Sequence, residues 1–114
     1  NGCLAMGLAT RCIRLIHAAG QPDIAQRLGA EQDAIHARLD DGLDEPATLP
    51  AARAAAAELA YRSAGALVVS VGSTGILARQ HAQRLVREAT FTLVAGGRPQ
   101  IKDCLLTLLA GVHE

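Results

Sequence analysis

The side chains in this chain that could do chemistry are few and scattered. Cys3, Cys12 and Cys104 stand far apart, with none of the close pairs that a zinc or thioredoxin-type centre requires, and an odd number fits a disulfide framework badly. They are expected to be buried free thiols, because cysteine packs as a small hydrophobe. His17, His36, His81 and His113 fall on different predicted elements, and no two are three or four positions apart on one helix, so no metal site is expected. Glu31, Asp33, Asp40, Asp41 and Asp44 make an acidic stretch. It lacks the glycine-punctuated pattern of a calcium loop and reads as a solvated helix end and loop. Arg84 and Arg87 could meet a phosphate, but on an exposed helix they are expected to pair with carboxylates such as Glu88. Nothing in this set makes a catalytic constellation by itself.

The elements that must position these residues are helices. Half of the 114 residues are apolar, yet aromatics are only 2% of the chain, so Leu, Ile, Val and Ala must fill the core. Ala and Leu are the strongest helix formers, and β-branched and aromatic residues are scarce, which points to an all-α domain. The length suits one domain, spanning 1–114. Net charge is zero without a Lys/Arg run, which argues against nucleic acid. The chain shows neither an apolar run of membrane-spanning length nor a charged-then-apolar leader, so no membrane association is expected and a reducing cytoplasm is the expected compartment. Ten of the eleven basic residues are Arg, which fits a GC-rich bacterial genome, and the opening Asn1 suggests a piece of a longer chain.

Leu4, Leu8, Cys12 and Leu15 predict a first helix over 2–19. Gly20 supplies a left-handed stop, and Pro22 with Asp23 opens a second helix with Ile24, Leu28, Ile35 and Leu39 inward, ending near Asp40. A loop over 41–49 follows, with Thr48 as cap and Pro50 in the first turn of a long Ala-rich helix over 51–71. Small side chains on so many of its positions allow close contact on more than one side, which makes it the expected centre of the bundle. Helix resumes near His81 with Leu85, Ala89 and Leu93 inward, stops at Gly96 and Gly97, and a last helix opens at Pro99 with Ile101, Leu105 and Leu108 as its stripe. The expected architecture is an antiparallel up-and-down four-helix bundle with a short extra C-terminal helix.

From Val69 to Ile101 the chain resembles, without a gap, the signature stretch of acyl-CoA dehydrogenases: a helix ending in Gln-x-x-Gly-Gly-x-Gly, then Pro-x-Glu-Arg-x-x-Arg-Asp-Ala, then Glu-Gly-Thr. Gly72 and Gly75 stand at two of the glycines, Arg84 at the first arginine, and Arg87, Glu88 and Ala89 at the Arg-Asp-Ala step. Gly97 stands at the glycine of Glu-Gly-Thr. Upstream, Met6, Gly7, Leu8, Ala9 and Arg11 resemble the Gly-Leu-Ala-x-Arg run of the family's first C-terminal helix.

The resemblance implies the C-terminal domain of an FAD-dependent oxidoreductase acting on the CH–CH group of an acyl-CoA or other acyl thioester. This domain would form one wall of the flavin and substrate site, pack on other domains of the same chain, and contribute to a homo-oligomer, a dimer or tetramer. Gly72, Ser73, Gly97 and Arg98 are the implied cofactor-binding residues. The departures are as informative. Ser73 replaces the second glycine and Val69 the glutamine. The family's Arg-x-x-Phe-Gly loop is reduced to a bare turn over 17–22, and Gly96 stands where the family keeps its catalytic glutamate, so no catalytic residue is assigned. The alternative is a catalytically inactive homologue serving as an oligomerisation or partner-binding scaffold. Arg98 stands at the threonine position, where it would fill the space of the missing glutamate or reach an anionic ligand. At the level of fold, far-ultraviolet circular dichroism is expected to show mainly helix. A substantial β signal would refute the all-α reading.

Overall fold

The computed structural model describes residues 2–72, 75–95 and 98–111. These form five α-helices, α1 (Gly2–Ala18), α2 (Pro22–Asp41), α3 (Leu49–Val71), α4 (Ile76–Ala95) and α5 (Pro99–Leu109), with a 3-10 turn at Pro46–Thr48. No strand occurs among the described residues. The molecule is elongated, 44 × 24 × 24 Å, and its long dimension is not much more than the roughly 34 Å of a 23-residue helix.

The breaks have separate local causes. Gly20 turns the chain after α1 at φ +90, and Pro22 starts α2 where its missing N–H would have had no partner anyway. Gly42 ends α2 in ordinary right-handed geometry. Here the need is for space: a Cβ would overlap Leu49 Cδ2 and lie 2.7 Å from Leu49 Cγ. Thr48 does not cap α3 as its position suggests. It sits at φ −87, ψ −12 with no side-chain cap bond, and its hydroxyl donates backwards to the Glu45 carbonyl at 2.7 Å, because the 3-10 turn has already carried the chain into helical geometry. The helix therefore begins at Leu49, with Pro50 in its first turn. Likewise α4 begins at Ile76, five positions before His81, because residues 76–80 are all exposed and carry no inward stripe to announce the helix.

The core is built around α3. Its residues Ala52, Ala54, Ala55, Ala56, Ala57, Leu59, Ala60, Ser63, Ala64 and Leu67 are all buried, and α1, α2, α4 and α5 each pack against it. Just over half of the buried hydrophobic side chains among the described residues are alanines, which lets helix axes approach toward the short end of the usual 8–10 Å. One cluster joins α1, α2, α3 and α4, while Ala54 and Ala57 hold α5 through Ile101 and Leu105 in a second. Both aromatic residues stay outside, Tyr61 at 41% and Phe91 at 61% exposure.

Two expected stripes are rotated. In α1 the buried line is Ala5, Ala9, Cys12 and Ile16 with Leu8, while Leu4 is 48% exposed. In α2 it runs through Ala25, Leu28, Gln32 and Ile35, leaving Ile24 outside. Alanines close to α3 displace larger side chains to the edge, and a glutamine occupies the middle of the α2 line. Gln32 Nε2 donates to the Met6 carbonyl at 3.1 Å and to Thr10 Oγ1 at 2.6 Å, and Thr10 Oγ1 donates to the same carbonyl at 3.0 Å. A polar tie thus fixes α2 against α1. A second tie, on the surface, joins α2 to α3: Arg62 binds Glu31 at 2.8 Å and Glu58 at 2.8 Å. Hydrogen bonding from Arg62 holds the Glu31 carboxyl below its ordinary range.

Ser63 is fully buried, and its hydroxyl has no partner among the described residues. Size, not hydrogen bonding, is what that position selects. In urea denaturation Ser63→Ala is therefore expected to be neutral or stabilising by up to about 1 kcal/mol, and Ser63→Leu to lose about 1–3 kcal/mol through overpacking. Gln32→Ala, which removes a buried donor pair, is expected to lose about 1–3 kcal/mol.

Candidate functional site

The residues expected to face a flavin lie at two helix junctions. Gly72 follows α3 at φ +53, ψ −127, a backbone that residues with a Cβ rarely adopt. A Cβ built there would meet only the Val69 carbonyl, at an ordinary 3.8 Å, so conformation and not crowding requires the glycine. As an implied cofactor-binding residue Gly72 would be expected to offer its N–H to an anionic oxygen, and this is not what the backbone provides. That N–H donates to the Val68 carbonyl at 3.0 Å, since it closes the last turn of α3. What Gly72 offers a ligand is close approach without a side chain. Ser73, Gly96 and Gly97 lie outside the described residues.

Arg98 has extended backbone, φ −89, ψ 136, immediately before Pro99. Its carbonyl accepts the Lys102 N–H at 3.0 Å, and its side chain is exposed. An exposed arginine can serve an anion but does not fill buried space left by a missing glutamate. The structure does not bring Gly72 and Arg98 together. α5 is anchored at Ala54 and Ala57, and Gly72 lies fifteen residues beyond Ala57 along α3, about 22 Å at 1.5 Å per residue. The two junctions are separate places on one scaffold.

Between and beside the helices lie open grooves. One of about 330 Å³ runs between α1 and α4, lined by Leu4, Leu8, Arg84, Arg87, Glu88 and Phe91. Another, of about 490 Å³, shares Arg84 and Arg87 and adds Leu77, Gln80, His81 and Gln83. Arg84 Nη2 lies 2.8 Å from His81 Nδ1. Guanidinium can only donate, so His81 accepts there and its ring proton belongs on Nε2. Arg84 thus takes His81 as its partner and not Glu88. Apolar walls with two guanidiniums suit binding of an anionic, partly apolar group, and offer no base aligned for proton abstraction. The sequence leads to pairing of Arg84 and Arg87 with carboxylates such as Glu88, and the grooves they line go unannounced. The signal that could have revealed the grooves is the spacing of Leu77 and Phe91, which sets two large apolar residues on the exposed side of α4.

No group of His, Cys, Asp and Glu able to hold a metal occurs among the described residues. Of the three cysteines only Cys12 is buried; Cys3 is exposed in the first turn of α1, and Cys104 is half-buried at the edge of α5. No described helix is long and apolar enough to cross a membrane.

No protein-family model, curated protein or solved structure matches this chain.

Burial pushes the Cys12 thiol up from its ordinary 9.0 to about 11, against the lowering effect of Arg11 and with a smaller raising effect from Glu88. The folded state therefore holds the thiol proton more tightly than the unfolded state. The stability this contributes is complete below about pH 9 and is lost as pH rises through about 11. Denaturation midpoints are expected to fall across that window in the native protein and to fall less in Cys12→Ala. A thiol reagent at neutral pH is expected to modify Cys3 in the folded protein and Cys12 only on unfolding.

Proposed function

We propose that this chain is the C-terminal helical domain of an acyl-CoA dehydrogenase-like flavoprotein, with α1–α4 as an antiparallel up-and-down four-helix bundle and α5 appended. The observation that carries the reading is Gly72. The sequence resemblance requires a glycine there, and the backbone at that position is one that glycine alone adopts freely. The order of the helices and the opening of α5 at Pro99, directly after Arg98, support the same alignment. In this reading bound FAD would supply the hydride acceptor for oxidation of an acyl thioester across its α,β bond. The chain's own residues contribute walls and not proton transfer. Gly72 allows a cofactor to approach the end of α3 closely, and Arg98, at the other junction, offers a cation to an anionic group. Because α5 is anchored at Ala54 and Ala57, and Ala57 lies about 22 Å along α3 from Gly72, each junction would face a different part of the assembly. Other domains and a second subunit would complete both.

A second reading is favoured by one residue. Gly96 stands at the family's catalytic carboxylate position, and glycine cannot take a proton. An inactive homologue, retained as an oligomerisation or partner-binding scaffold, accounts for that directly. An active enzyme would need its base elsewhere in the parent protein, since a positioned carboxylate supplies about 10²- to 10⁴-fold of rate.

Anaerobic bleaching of bound FAD by a panel of acyl-CoAs separates the readings. Bleaching by the parent protein, unimproved by Gly96→Glu, is expected if the base lies elsewhere, because a second carboxylate in a closed site raises its partner's pKa and crowds the acyl chain. Flavin binding without bleaching, with reduction gained in Gly96→Glu, is expected of an inactive homologue. Failure to bind flavin at all would overturn the flavoprotein reading.

A further inference from the structure

α5 is held differently from the other helices. It packs on α3, with at most marginal contact to any other helix, whereas α1, α2 and α4 each pack on two or more. Of its eleven residues only Ile101 and Leu105 are buried, Cys104 and Leu108 are half-buried, and the other seven are exposed. These four side chains meet Ala54 and Ala57 of α3 and Leu93 of α4 in a cluster of their own. None of the residues in the larger cluster, which joins α1, α2, α3 and α4, belongs to α5. The core of the four-helix part is therefore complete without it.

Polar contacts add nothing to this attachment. α2 is tied to α1 through Gln32 and to α3 through Arg62. Among the described residues no side-chain hydrogen bond or ion pair joins α5 to another helix, and the Thr107 hydroxyl donates to the Asp103 carbonyl inside α5 itself. Arg38 of α2 and Asp103 line the same groove, of about 510 Å³, where α2, α3 and α5 converge, yet they form no ion pair. Against Ala54 and Ala57, Ile101 and Leu105 meet little more than methyl groups, so each contact yields only a small dispersion gain. A helix of eleven residues is also below the roughly 12–15 at which isolated helices become marginally stable in water. Once off α3, α5 does not remain helical.

We propose that α5 is a releasable strap, which undocks from α3 and melts as one unit while α1–α4 stay folded. Elements that move in regulation are drawn from the least stable parts of a fold, and α5 is the helix with the fewest ties. Release uncovers Ala54, Ala57 and Leu93, a short apolar ribbon. It also dissolves the first turn of α5, in which the Arg98 carbonyl accepts the Lys102 N–H, so the place from which Arg98 meets an anion depends on the strap. That last consequence alone rests on the proposed function, and the undocking stands without it.

Native-state hydrogen exchange, followed by NMR through a series of low urea concentrations, is the test, with circular dichroism to establish that each variant folds. The amides of Asp103 to Leu108 are expected to share one opening equilibrium, at least about tenfold more open than that of Ala56 to Ala64 in α3. Their exchange is expected to depend less steeply on urea, because opening α5 exposes little surface. Gln32→Ala, which loosens the α1–α2 tie, is expected to speed exchange in α3 by at least about fivefold. It is expected to leave α5 unchanged, since it destabilises the docked and undocked forms alike. Leu105→Ala is expected to speed exchange in α5 by at least about tenfold, up to complete loss of its protection while α1–α4 remain folded. Equal opening in α5 and α3, rising together in Gln32→Ala, overturns the proposal, because α5 then opens only on global unfolding. Protection that declines residue by residue toward Leu109 overturns it as fraying. A native chain with no protection in α5, or α5 exchange that Leu105→Ala leaves unchanged, overturns it too. None of these outcomes touches the bleaching assay, so the flavin reading stands or falls separately.

Discussion

Close approach at alanine is the constraint on which the rest of this structure depends. α3 can be buried along so much of its surface only because Ala52, Ala54, Ala55, Ala56, Ala57, Ala60 and Ala64 present little more than a methyl group to each neighbour. Dispersion between closely spaced backbones and β-carbons then replaces the interdigitation of long side chains. A larger residue at any of these points would have to move a whole helix. The same constraint explains why Leu4 and Ile24 sit at the edges and why Ser63 is tolerated without a hydrogen bond.

Alanine contacts are weak in register, because small residues offer few features to lock one helix against another. The polar ties supply that missing specificity. Gln32 reaches across to the Met6 carbonyl and Thr10, so sliding α2 along α1 by a turn would leave a buried amide without partners. Arg62 fixes α2 against α3 from outside. Being open to solvent at Arg62 and Glu31, this second tie contributes only about 0.2–1 kcal/mol per ion pair. Together they fix α2 against both α1 and α3.

Much of this frame could be read from the residues. Proline and glycine marked Gly20, Pro22, Gly72 and Pro99 as breaks because their backbone constraints are local and do not depend on packing. The stripes were less legible. A periodicity search looks for large apolar residues, and here Ala5, Ala9 and Ala25 outrank Leu4 and Ile24 for the interior. Gln32 broke the α2 pattern by being buried and polar at once. The start of α4 was hidden because its first turn buries nothing. At the candidate site, the conformation of Gly72 followed from residue type, but the commitment of its N–H to Val68 is a property of the finished helix end. The separation of Gly72 from Arg98 depends on which end of α3 receives α5, and nothing in the local sequence of either junction contains that information.

The placement of the two aromatic residues has an optical consequence. The chain has no Trp, one Tyr and one Phe, and the Tyr and Phe both sit on the surface. Its interior is therefore transparent in the near ultraviolet and silent in fluorescence. Emission from Tyr61 reports on the outer side of α3, beside Arg62, while the alanine-lined centre of the molecule contributes no signal of its own.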